Sequence, residues 1–325
     1  MKIVSKNICV CLSFNKKWTK FSSILTQSKR GHSHVRPSPH KMNQAKNYSR
    51  NNVLQRTDAT YVLDNYLRLM KWKKTKTEKI ADVGAGDGSV SLELLLPRIP
   101  VEIGKFVGCD VSEEMVKYAK TQSCDGKIDF VQMNVEAPSI PIKLHNEFDH
   151  VFSFYCLHWI QDQRQAFKNI YDLLVPGGDA LLVFLASNPV FHIYEAMGQS
   201  KRWGPYMQDY RKYISPYHFF DDPVEQAERY LEEAGFCIHL CRLENRNFTW
   251  LNVETMQKST KSVNPFIQRI PEGEVDDYVQ DFEKEVRKLS CVKIFKCNNN
   301  NEDRIYFTYQ LFVVFVSKPD KSKSF

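Results

Sequence analysis

The stretch KIADVGAGDGSVSLELL, residues 79–95, decides how the chain is read. A short apolar run at 80–83 leads into three glycines, Gly84, Gly86 and Gly88, and an amphipathic helical pattern follows. A strand, a glycine turn and a helix N-terminus together form a nucleotide site. The question is which nucleotide.

A dinucleotide fingerprint asks for G-x-G-x-x-G, and its third glycine would fall at position 89, which is serine. The glycines read G-x-G-x-G instead, with Asp82 two residues before the first. A cofactor without a pyrophosphate needs no phosphate seat, but it needs an acid for an ammonium group. Asp82 at the strand end suits the amino-acid moiety of S-adenosylmethionine. Asp110 ends the next strand, KFVGCD, where a carboxylate accepts both ribose hydroxyls. The third strand ends IDFVQMNVEA, which sets Asn134 against the adenine amine and the Val135 N–H against its ring. Each residue alone has a plainer reading, because strand-end Asp and Asn also cap helices. Order and spacing together favour a methyl donor over a dinucleotide. Val111 and Ser153 complete the expected cofactor contacts, and no metal is expected.

Strands and helices alternate outward from this stretch. Strands are expected at 79–83, 106–110, 128–134, 148–155 and 180–185. Helices are expected at 89–96, stopped by Pro97; at 112–120, capped by Ser112; and at 162–174, ended by PGG. That alternation predicts an α/β fold with a doubly wound, seven-stranded, mostly parallel sheet of Rossmann-like type. A helix over 53–69 precedes it. After residue 186 the pattern breaks, and nine aromatics fall within residues 187–222. A helix at 223–234, a strand at 236–241, helices over 252–290 and a long strand at 304–316 follow. The last strand is expected as the antiparallel edge, beside 236–241. Residues 187–222 and 252–290 read as helical, aromatic-rich lid insertions in a domain spanning 42–325.

The net charge of +7 is unevenly spread. Residues 1–57 hold 12 of the 45 Lys and Arg and no acid, so the remainder is mildly acidic. That is poor footing for a phosphate backbone, and no nucleic acid partner is expected. No apolar run is long enough to span a membrane. Residues 1–41 read as a basic disordered arm or a targeting segment. The nine cysteines form no C-x-x-C pair, which suits a reducing, cytoplasmic setting, or a mitochondrial one if 1–41 is a transit peptide.

Residues 79–185 resemble the class I S-adenosylmethionine-dependent methyltransferases. EFDHVFSFYCLHWIQDQRQAFKNIYDLLVPGG is similar to that superfamily's fourth strand and following helix, and the Leu157-His158-Trp159 turn is shared with trans-aconitate methyltransferases. The match extends to the insect juvenile hormone acid methyltransferases through MNQAKNYSRNNVLQRTDA, FYCLHWIQDQRQAFKNIY, GGDALLVFLASNPVFHIYEAM, YISPYHF and NPFIQRIP. It runs from about Met42 to the C-terminus. The chain departs from the superfamily at Asn134, where Asp is usual; Asn still accepts from the adenine amine.

This resemblance implies methyl transfer to the carboxylate of an apolar acid, such as a juvenile hormone acid, farnesoic acid or fatty acid. A carboxyl group of pKa about 4 is ionised at neutral pH, so no general base is needed. Neutral donors suit such a site better than cations, which would damp the nucleophile. Gln55 offers an amide, Trp159 an indole N–H, and His158 a third bond. Taken singly, Gln55 reads as a helix-surface residue, Trp159 as core and His158 as a structural histidine. The aromatics of 187–222 suit an apolar chain better than a sugar. Amino-group methylation would call for Pro-Pro-aromatic where this chain has SFYC, and metal-dependent catechol chemistry for clustered acids where only Asp149 and Asp162 stand. The alternative is a catalytically weak protein that binds the cofactor or a lipid acid.

Overall fold

The computed structural model describes residues 45–73, 77–297 and 302–320; the basic segment 1–41 lies outside them. The chain enters through helices α1 (Ala45–Asn51) and α2 (Val53–Tyr66). There follow β1 (Glu78–Val83), β2 (Ile103–Asp110), α3 (Glu113–Lys120), β3 (Ile128–Gln132), β4 (Phe148–Phe154), α4 (Gln163–Leu173) and β5 (Leu174–Ser187). The remainder is α5 (Pro189–Gly198), α6 (Pro223–Ala234), β6 (Cys237–Trp250), α7 (Val253–Val263), α8 (Val275–Lys288), β7 (Val292–Lys296) and β8 (Asp303–Ser317).

The strands lie in the order β3-β2-β1-β4-β5-β8-β6, with β7 paired to β8. β1 to β5 are mutually parallel, while β8 runs antiparallel to both β5 and β6. The C-terminal strand is therefore antiparallel as expected, but it sits one place inside the edge. β6 takes the edge position. Strand order reverses at β1, whose neighbours are β2 and β4, and the loops leaving β1 and β4 diverge there into a crevice. Buried side chains fill both faces of the sheet.

Local sequence explains most elements. Ser112 caps α3 by accepting from the Met115 N–H, acids fill its first turn, and Lys117 and Lys120 its last. Asp162 caps α4, and Gly235 ends α6 in the left-handed region at φ 98°. Three expectations change. After the glycine turn the helix is a π-turn over Ser91–Leu95, then a 3-10 turn over Leu96–Arg98. The Leu96 N–H reaches back five residues to the Ser91 carbonyl, and Pro97 has no N–H to restore the α pattern. The PGG at 176–178 does not precede β5 but is a bulge within it, with Gly177 at φ 81° and Gly178 too close to the Asp149 carbonyl for any side chain. β6 runs on to Trp250, its Arg242, Glu244 and Arg246 suiting an edge strand that must not recruit another chain.

Beneath the sheet, at the end away from the glycine turn, His150 lies between two carboxylates. Its Nδ1 is 2.5 Å from Asp179 Oδ1 and its Nε2 2.5 Å from Glu78 Oε2, all three residues being buried. The other carboxylate oxygens accept from the Lys71 and Lys73 amides, and Trp72 lies against the imidazole. The cluster thus ties β1, β4 and β5 to the segment entering β1. Burial alone would lower the imidazole pKa, but Asp179 and Glu78 outweigh it and hold it above its ordinary value. The folded state therefore binds this proton more tightly than the unfolded chain. Its stabilisation is complete below about pH 6.5, the ordinary imidazole value, and fades as pH climbs through the raised folded value. In urea denaturation, His150→Gln should flatten that slope and cost about 3–5 kcal/mol at low pH. A variant with the slope of the native protein would show that the imidazole carries no extra proton.

Candidate functional site

The turn after β1 is shaped by left-handed backbone. Gly84, Gly86 and Gly88 have φ of 78°, 57° and 79°. A Cβ on Gly84 would lie 2.2 Å from the Cys156 Cβ, so the turn packs directly on the chain leaving β4. At Gly86 a Cβ would meet only Tyr48 Cε1 at 3.9 Å, and this position borders open space. That space is a cavity of about 770 Å³, bounded by Gly84, Gly86, Asp110, Val111, Met115 and Cys156 among others. Asp110 Oδ2 accepts from the Gly86 N–H at 2.9 Å and its Oδ1 from Ser112 N–H at 2.8 Å. Burial raises its pKa against those two amides.

Asp82 lies beneath the turn, 2% exposed. Its Oδ2 accepts from the Ser91 hydroxyl at 2.5 Å, a contact delivered by the π-turn, while its Oδ1 has no partner. Asp87 is in the same state: Oδ1 accepts from the Ser89 hydroxyl and N–H, and Oδ2 has none. Burial pushes the Asp82 carboxyl up to about 7, with the Ser91 hydroxyl opposing and Asp110 adding to the rise. Neither Asp82 nor Asp87 lines the cavity, but two buried, orphaned carboxylate oxygens beneath the turn that borders it are costly unless a donor arrives. A cationic cofactor with an ammonium group fits that need.

A second cavity, of about 1010 Å³, adjoins the first, and Tyr48, Tyr155, Trp159 and Val263 line both. Among the described residues, no Asp, Glu, Lys or Arg lines the second cavity. Gln55, on α2, borders it, and its amide has no hydrogen-bond partner among the described residues. His158 and Trp159 come from the 3-10 turn Leu157–Trp159 after β4. Burial drives the His158 imidazole down to about 3. Its Nδ1 accepts from the Leu185 N–H at 3.5 Å, which leaves the proton on Nε2. His158 is thus a neutral donor throughout the physiological range.

Tyr155 stands at the seam with a left-handed backbone at φ 58°, a conformation costing a residue with a side chain about 1–2 kcal/mol. Its hydroxyl donates to Asp58 Oδ2 at 2.5 Å. Tyr309 donates to the same oxygen at 2.7 Å, and Arg246 Nε to Oδ1 at 3.0 Å. Asp58 is fully buried on α2, about one turn from Gln55. One carboxylate therefore holds together α2, the exit of β4, β6 and β8.

The structure brings Gly84, Gly86, Asp110 and Val111 to the first cavity and Gln55, His158 and Trp159 to the second. Asp82 and Gly88 are buried beneath the turn. A Cβ on Gly88 would press on Phe130 at 2.9 Å, which makes this glycine a packing requirement. Like Asp82 and Gly88, three further expected contacts lie outside the lining. Ser153 is fully buried, and its hydroxyl donates to the Val83 carbonyl, stapling β4 to β1. Asn134 is exposed, its Oδ1 taking the Glu136 N–H, and the Val135 side chain packs into the core on one face of the sheet. Sequence reasoning missed Tyr48, Tyr155 and Asn188. Asn188 caps α5 ahead of Pro189 and lines the second cavity, and its Asn-Pro signature was legible. Tyr48 sits on a short polar helix with no periodic signal.

A buried carboxyl near pH 7 gives cofactor binding a pH dependence. If the cofactor's ammonium group is held by ionised Asp82, S-adenosylmethionine affinity should rise between about pH 6 and 7.5. Isothermal titration of Asp82→Asn should give weaker binding without that rise. A native profile that is flat over the range would remove Asp82 from the cofactor site.

A family model described as "Methyltransferase domain" matches residues 81–182. The chain is 36% identical over 279 residues to the juvenile hormone acid O-methyltransferase of Drosophila melanogaster, covering 85% of this chain and 93% of that one. It is likewise 36% identical over 279 residues to the Bombyx mori protein of the same name, covering 85% and 98%. Among solved structures, YcgJ from Bacillus subtilis aligns over 80% of this chain and 98% of its own, with a TM-score of 0.52 at 16% identity, a likeness of fold alone. The glycine turn with its waiting acids and this likeness along most of the chain agree: the chain belongs to the juvenile hormone acid O-methyltransferase family and is an S-adenosylmethionine-dependent methyltransferase.

Proposed function

We propose that the enzyme esterifies an apolar monocarboxylic acid of the juvenile hormone acid, farnesoic acid or fatty acid kind, held in the uncharged cavity with its carboxylate at the seam. The observation that carries this reading is the lining itself. Among the described residues no charged side chain lines this cavity of about 1010 Å³, so a second carboxylate, a phosphate or an ammonium would be buried there without a countercharge. Its polar groups near the seam are neutral donors: the Gln55 amide, the His158 Nε2–H and the Trp159 indole. They orient a carboxylate without quenching it. The Drosophila and Bombyx relatives, both juvenile hormone acid O-methyltransferases, agree with this acceptor.

On this reading Asp82, Gly84, Gly86, Gly88, Asp110 and Val111 form the cofactor side. The two segments 187–222 and 252–290 act as the lid. They pack on one another through Tyr194 and Tyr213 against Phe266, and Trp203 against Tyr278, each edge to face. When bound, S-adenosylmethionine supplies an electrophilic methyl carbon on a sulfonium. The chain's own residues exclude water, strip the acceptor of solvent and aim it. No residue needs to accept a proton. The acidic balance of the body weighs against a nucleic acid partner, and its free cysteines favour a reducing, intracellular compartment. No described helix is long and apolar enough to cross a membrane.

The test is kinetic. With cofactor saturating and farnesoic acid or a juvenile hormone acid as acceptor, turnover should be flat from about pH 6 to 8, because His158 stays neutral and the acceptor stays ionised. Gln55→Ala should cost about 1.5–3 kcal/mol in kcat/KM, the scale of a hydrogen bond to a charge. His158→Ala should lose less than the roughly 100-fold expected of a general base. Turnover that follows a pKa near about 6.5 and vanishes in His158→Ala would instead make the acceptor a hydroxyl or amine.

A further inference from the structure

β6, β7 and β8 continue beyond the parallel sheet. The last pair between β5 and β8 is Ser187 with Gln310, yet β8 extends outward to Asp303 with β6 on one side and β7 on the other. Side chains alternate along β8, so Tyr309, Phe307 and Ile305 share one face, and all three are buried. Their neighbours in register divide that face into rungs. Arg246 lies opposite Tyr309, Phe248 and Val292 opposite Phe307, and Trp250 and Ile294 opposite Ile305. The rung nearest the seam is polar, since Tyr309 and Arg246 hold Asp58. The two outer rungs are apolar, and Phe307, Val292, Ile305 and Trp250 line the large cavity.

The spacing gives the cavity a scale. Rungs two residues apart are separated by about 7 Å along the strand. Leu185, which donates to His158, pairs with Leu311, six residues from Ile305, so the cavity reaches about 20 Å from the donors to the outermost rung. Trp250 is the bulkiest side chain on that rung, half-buried and braced edge to face by Phe248 with ring centroids 4.7 Å apart. Leu251, immediately beyond, is exposed.

We propose that this three-stranded extension gauges the length of the apolar tail, with Trp250 as its end stop. The inference rests on the acid-binding reading of the cavity and adds which residues select among acids. A tail that ends short of Trp250 leaves apolar space unfilled, and one that overruns must displace the indole or fold back.

The experiment uses the full chain and the straight-chain saturated acids from decanoic to stearic. It compares the native protein, Trp250→Ala and Trp250→Phe in three measurements: kcat/KM for methylation, acid binding by displacement of a fluorescent anilinonaphthalene sulfonate probe, and S-adenosylmethionine affinity by calorimetry. Trp250→Ala should move the optimum to longer acids in both acid readouts, gaining about four-fold in affinity for each further methylene it buries. Trp250→Phe should fall between, and cofactor affinity should not change. A uniform loss at all lengths, or an unmoved optimum, overturns the gauge while methylation of the acids upholds the reading beneath it. A shifted binding optimum without methylation of any acid upholds the gauge and overturns the acceptor. Failure of every acid to bind overturns both. If Trp250→Ala does not fold, as a thermal melt would reveal, Trp250→Phe decides by the same shift.

Discussion

The Asp58 carboxylate is the constraint on which the geometry of the two cavities turns. It is fully buried and accepts from two phenols and a guanidinium that arrive on three different strands or strand exits. A buried charge persists only when its lone pairs are matched, and four elements must converge to match these. Their convergence fixes Tyr155 in its left-handed conformation, and with it the turn that carries His158 and Trp159. It also fixes α2, and so the position of Gln55. The cost of straining Tyr155 is offset where the strain is useful, at the seam between two cavities.

Across that seam the electrostatics divide cleanly. Asp82, Asp87 and Asp110 gather around the glycine turn at the first cavity, with two carboxylate oxygens lacking any donor among the described residues. Among the described residues, no charged side chain lines the second cavity. A cation is thus favoured on one side, and an anion is tolerated on the other only where neutral donors reach it. Such an arrangement brings a sulfonium and a carboxylate together without a protein cation to compete for the nucleophile. The low pKa of His158 belongs to the same design, since burial that excludes water also keeps the imidazole neutral.

Short-range signals were the legible part. Ser112, Asp162 and Gly235 announced helix ends because capping is settled within a few residues. The alternation of strands and helices announced the parallel sheet, and the glycine spacing announced the left-handed turn after the first strand. Elements whose form depends on partners were not legible. The Ser153 hydroxyl donates to the Val83 carbonyl, a pairing between adjacent strands that no local pattern announces. β6 looked short because its charged outer half makes sense only on an edge, and β7 exists only because β8 is there to pair with it.

By itself, then, the sequence determined the class of fold, the succession of strands and helices along the chain and the glycine turn after the first strand, because these follow from periodicity, caps and the conformational freedom of Gly84 and Gly86. The tertiary structure decided that β8 lies inside the edge, that Tyr155, Tyr309 and Arg246 meet on Asp58, and that Gln55, His158 and Trp159 line one uncharged cavity. Those outcomes join residues up to 251 positions apart. No local preference encodes such a meeting. It is selected by the cost of leaving a buried charge or a phenol unpaired, which is felt only once the chain has closed around them.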